Sequence, residues 1–117
     1  MRETDRAPVR FEDDVAVVSL FGAFGAILGS YTPEQIRAAI AFGMDQGCVK
    51  IALDIKEARY VDSITLSELL RFSAFVHRRN PEAQIKFLKL HPRLRKLLEV
   101  TRAIEFFDQD ANWGKTT

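Results

Sequence analysis

Three strand-like apolar runs, separated from one another by single helix-length amphipathic segments, constrain this 117-residue chain more than any other feature. Val15-Ala16-Val17-Val18-Ser19-Leu20-Phe21 reads as a mostly buried strand. Val49, Ile51, Leu53 and Ile55 alternate with Lys50, Ala52 and Asp54 in a second strand, and Ile85-Lys86-Phe87-Leu88 is a third. Strands joined through single helices imply right-handed crossovers and a parallel portion of sheet. Ahead of them Val9 and Phe11 alternate with polar neighbours and Asp13-Asp14 marks a turn, so a hairpin partner makes the sheet mixed. The predicted order is ββαβαβα, an α/β fold with a mixed four- to five-stranded sheet and about four helices.

The punctuation between these runs supports the same reading. Thr32-Pro33-Glu34-Gln35 is a capping box with proline at the first helical position. Ile36, Ile40 and Gly43 follow one face of that helix, and Gly47 suits a left-handed stop. A second helix begins around Ser63, with Leu66, Leu69, Leu70, Ser73 and Val76 on one side and Phe72 close by, and Asn80-Pro81 ends it. His91-Pro92 opens a third, whose Leu94, Leu97, Leu98 and Thr101 recur at helical spacing, and Ile104, Phe106 and Phe107 close the ordered part. We expect one domain over residues 1–117 with an ordered core from about 9 to 107; the first eight residues and the tail after Asp110 read as frayed ends.

Composition narrows the functional class. Hydrophobic residues make up 47% and charged residues 28%, and the net charge is +1, so there is no global field to attract nucleic acid or an anionic membrane. The basic clusters Arg78-Arg79 and Arg93, Arg95, Lys96 read as solvated helix faces. A single cysteine, Cys48, allows no internal disulfide, fits a reducing compartment and reads as core filler. The mixed-charge N-terminus lacks the apolar stretch of a signal peptide, and no run approaches the roughly 18–20 apolar residues of a membrane span, so a cytoplasmic location is expected. The glycine-rich stretch Gly22 to Gly29 has no lysine and does not fit a phosphate-binding loop; with Phe24, Ile27 and Leu28 it reads as an apolar loop that faces a partner or covers the core. His77 and His91 have no companions at metal-ligand spacing, Asp54 has no evident acid–base partner, and no nucleophile–base pair is visible. Neither an enzyme nor a metal or cofactor is expected.

The informative segment runs from Leu53 to Leu70, where a strand ends, a short turn follows and Asp62-Ser63 stands at the start of the next helix. A phosphate on Ser63 would be tolerated there, because first-turn N–H groups lack internal partners and the helix dipole is positive. The plainer reading of the same residues is capping by Asp62, Ser63 and Thr65, with Thr65 and Glu68 fitting a second capping-box register.

The element order and the run Leu53-Asp54-Ile55 … Val61-Asp62-Ser63-x-x-Leu66-x-x-Leu69-Leu70 resemble the STAS family, the anti-sigma-factor antagonists of bacteria, over roughly residues 9 to 107. Pro92 to Glu99 also looks like the family's third helix. The chain reads Ile64-Thr65 where members often carry a second serine and glycine, and Gly25 where an aspartate usually helps to present the site. The resemblance implies phosphorylation at Ser63 and a non-enzymatic switch that sequesters an anti-sigma factor, a serine kinase of the GHKL type, with a serine phosphatase as a further partner. It implies a partner-binding surface on Asp62, Ser63, Ile64, Thr65 and Ser67, the loop from Gly22 to Tyr31 including Phe24, and Glu68, Arg71 and Phe75 on the helix. The expected state is a monomer or weak homodimer. Two other roles on the same fold are a scaffold subunit of a stressosome-like assembly and an accessory subunit of a lipid-transport ATPase.

Overall fold

The computed structural model describes residues 6–20, 31–55, 61–88 and 90–108. Its elements follow the order β1 (Val9–Glu12), β2 (Val15–Ser19), α1 (Pro33–Asp45), β3 (Lys50–Asp54), α2 (Ser63–Arg79), β4 (Gln84–Leu88) and α3 (Pro92–Val100), closed by a 3₁₀ turn at Ala103–Phe106. The ββαβαβα order is therefore present. Among the described residues there are three α-helices rather than about four, because the last apolar segment is only the 3₁₀ turn, entered through Arg102 with a left-handed φ of 64°.

The sheet has four strands in the order β1-β2-β3-β4. β1 and β2 form an antiparallel hairpin, and the pairs β2–β3 and β3–β4 are parallel. Asp13, at a φ of 55°, supplies the left-handed turn residue between β1 and β2. Both crossovers step the same way across the sheet, and right-handed connections then place α1 and α2 on one face. On that face lie Ala16, Val18, Ile51, Leu53, Ile85 and Phe87, packed with Ile36, Ala39 and Ile40 of α1, Leu69, Phe72 and Val76 of α2, and Leu94 and Leu98 of α3. Val15, Val17, Ala52 and Leu88 form a smaller cluster on the other face.

Because both faces are buried at the centre, β3 does not alternate in exposure. Ile51 through Ile55 are all buried, whereas Val49, predicted as a strand residue, precedes the strand and is exposed. Asp54, which has no evident partner in the sequence, is buried and accepts from the guanidinium of Arg10 at 3.2 Å. Arg10 also donates to Ser19 Oγ at 3.3 Å and to the Glu12 carboxylate. The hydrogen bond to Glu12 contributes most to holding the guanidinium pKa above its ordinary value, with burial opposing it.

The capping box predicted for α1 is present. Thr32 Oγ1 accepts from the Gln35 N–H at 3.1 Å while Gln35 Oε1 accepts from the Thr32 N–H at 2.8 Å. Gly47 takes a φ of 98° just beyond α1. Gly43 has a different role: a Cβ there would stand 2.6 Å from the Ala16 Cβ, so glycine lets α1 approach β2. At α3 the His91 Nδ1 accepts from the Arg93 N–H at 3.1 Å. Thr101, predicted on the apolar face of α3, is instead exposed, its hydroxyl donating back to the Leu97 carbonyl at 2.9 Å. The chain then returns to the sheet, where Asp108 donates its N–H to the Ile85 carbonyl and accepts the Ile85 N–H on its carboxylate, each at 2.7 Å.

Candidate functional site

Asp62 is the N-cap of α2. Its backbone is extended (φ −85°, ψ 174°), its carboxylate accepts the Thr65 N–H at 2.7 Å, and its carbonyl accepts the Leu66 N–H at 2.9 Å. This settles the capping register: Thr65 lies at the third helical position, inside α2, and does not start a second capping box with Glu68. The hydrogen bond from the Thr65 backbone is the largest influence that holds the Asp62 carboxyl below the ordinary carboxylate range.

Ser63 is therefore the first helical residue, and it is exposed. Ile64 follows at the second position with 76% of its surface exposed, the most of any large apolar side chain among the described residues. Ile64 and Thr65 both lie within α2 and neither has a positive φ, so β-branched residues are compatible with the backbone where members of the resembled family often carry a second serine and a glycine. Ser67 and Arg71 continue the exposed ridge, Thr65 and Phe75 are half-buried, and Leu69, Phe72, Ser73 and Val76 form the buried side of the helix.

The chain is similar to the crystal structure of a proposed anti-sigma factor antagonist from Thermotoga maritima, with a TM-score of 0.61 and 12% identity over 94% of this chain and 92% of that one. The NMR structure of that same protein, TM1081, is similar too, with a TM-score of 0.62 and 13% identity over 86% of this chain and 77% of that one. The chain has a STAS-like fold. No protein-family model matches the sequence, and no curated protein matches it.

Within the STAS-like fold the expected surface residues are differently engaged. Glu68, with 15% of its side chain exposed, lies between Arg37 of α1 at 3.5 Å and Arg71 at 3.2 Å. Arg37 was not visible as a site residue in the sequence, because only the packing of α1 beside α2 brings it to Glu68. Tyr31 is half-buried against the core; Phe24 and the rest of the 22–30 loop lie outside the described residues.

At the other end of α2 a cavity of about 300 Å³ is lined by Met44, Gly47, Cys48, Val49, Arg79 and Asn80. Burial, and secondarily Asp14, push the Cys48 thiol pKa up, which disfavours the thiolate and fits the reading of Cys48 as packing. Among the described residues no group of three or more His, Cys, Asp or Glu side chains is placed to hold a metal ion, and no helix is long and apolar enough to cross a membrane.

Proposed function

We propose that this chain is an anti-sigma factor antagonist, a non-enzymatic protein-binding switch whose partner docks on the start of α2 and is released when Ser63 is phosphorylated. The observation that carries the reading is the exposed pair Ser63-Ile64 directly after a capping aspartate. Ile64 offers an apolar anchor, and the neighbouring hydroxyl is open to a kinase. A phosphate would add about −1.5 to −2 charges beside that anchor. The first-turn N–H groups and the positive end of the helix dipole accommodate that charge, so the domain stays folded while an interface built for an uncharged serine is lost. The partner is an anti-sigma factor of the GHKL serine-kinase class, and a serine phosphatase restores the binding form. The protein acts in the cytoplasm, without direct contact to nucleic acid. The structural neighbour proposed to be an anti-sigma factor antagonist supports this role.

Partner capture from the native cell tests the reading. Wild type and Ser63→Ala should retain the same kinase-class partner, Ser63→Asp should lose it, and mass analysis should find phosphate on Ser63. Equal capture by wild type and Ser63→Asp would sink the charge switch, and phosphate found only on Thr65 or Ser67 would move the site.

A further inference from the structure

We propose that the free edge of β1 is a docking site for a second copy of this chain, the two β1 strands pairing antiparallel about a two-fold axis at Phe11 and joining two sheets into one. The inference does not depend on Ser63 or on the partner proposed above.

β1 is an end strand of the sheet. The Ser19 N–H donates to the Pro8 carbonyl at 3.0 Å, which makes Pro8–Ser19 a hydrogen-bonded pair. In an antiparallel ladder such pairs alternate with non-bonded ones. With the register Arg10↔Val17 and Glu12↔Val15, it is therefore Arg10 and Glu12 that bond to β2. The backbone N–H and C=O groups of Val9 and Phe11 point the other way, and among the described residues nothing pairs with them. Phe11 is 45% exposed at this edge, its ring 6.1 Å from that of Phe42 on α1, leaving an aromatic ledge beside the free backbone groups.

Natural edges are commonly guarded by charges that repel a second strand. Here the charges on the far face of β1 are opposite in sign, Arg10 and Glu12, and that pattern is self-complementary. Two copies whose outward groups meet have two short registers. With Phe11 opposite the partner's Phe11, Arg10 stands opposite the partner's Glu12 on both sides of the axis. With Phe11 opposite the partner's Val9, Arg10 stands opposite the partner's Arg10. Opposite charges across a strand pair stabilise it and like charges destabilise it, so the first register is selected. It also stacks the two half-exposed Phe11 side chains across the axis. With only the four residues of β1 in the pairing, association is weak and concentration-dependent.

Sedimentation of the full chain over a range of concentrations should show a monomer–dimer equilibrium. Phe11→Lys, which sets two ammonium groups against each other, and Glu12→Arg, which sets a guanidinium against the partner's Arg10, should each remove the dimer while far-UV circular dichroism and the melting temperature show a folded chain. A cysteine trap reads the register. In a Cys48→Ser background, Phe11→Cys should cross-link under mild oxidation, since hydrogen-bonded antiparallel partners have Cα atoms about 5.5 Å apart. Val9→Cys should not, being offset by four residues, about 13 Å along the strand. A chain that stays monomeric throughout, a dimer that survives Phe11→Lys, or a cross-link at position 9 in place of 11 would overturn the proposal; the last two results would point to a different surface or an unrelated register.

Discussion

Asp62 links helix formation to the chemistry of the neighbouring serine. Its folded-state pKa is lowered, so the carboxylate's contribution to the start of α2 is fully present above the ordinary carboxylate pKa and is lost as pH falls through the lowered value. Carboxyl-carbon NMR should place the Asp62 midpoint below that of an exposed aspartate. Phosphorylating Ser63 should move that midpoint upward, because a second negative charge beside the carboxylate disfavours its ionised form. Asp62→Ala should lower the melting temperature and speed amide exchange at Thr65, whereas Asp62→Asn, which keeps an acceptor, should lie closer to wild type. These expectations belong to single residues and need no partner.

At the scale of elements, the contact between α1 and β2 is set by the absence of a side chain. Gly43→Ala would place a methyl 2.6 Å from the Ala16 Cβ, and both backbones are held by their own ladders. The substitution should destabilise the domain by about 1–3 kcal/mol in denaturant unfolding, even though alanine is the better helix former. Gly47, by contrast, has open space around it but a φ of 98°, so a substitution there is strained through the backbone alone. Both glycines were legible by position, one on the apolar face and one at the helix stop. Which of them is a packing glycine follows only from how close the helix comes to the sheet.

At the scale of the whole molecule, the C-terminal return pins the sheet and α2 together. Ser73 Oγ donates to the Phe106 carbonyl at 2.6 Å, the Phe87 and Phe107 rings lie 4.3 Å apart, and Asp108 bonds both polar groups of Ile85. Asp108→Ala would leave the Ile85 N–H without that acceptor, and the chain should lose about 1–3 kcal/mol of stability in denaturant unfolding. Ser73→Ala, with one neutral hydrogen bond lost, should cost about 1 kcal/mol. The signals legible in the sequence were local: the order of the elements, the capping box at Thr32, the stop at Gly47 and a helix start at Asp62-Ser63. Such signals depend on a few neighbouring residues and on backbone geometry, so they survive being read one segment at a time. Which carboxylates are buried, and with which partners, follows from the assembled sheet and helices. Arg10 and Asp54 are 44 positions apart and meet because β2 lies between their strands, and Glu68 is held by Arg37 because α1 and α2 share one face of the sheet. Pairings of that kind are fixed by strand order and crossover direction, which no single segment carries.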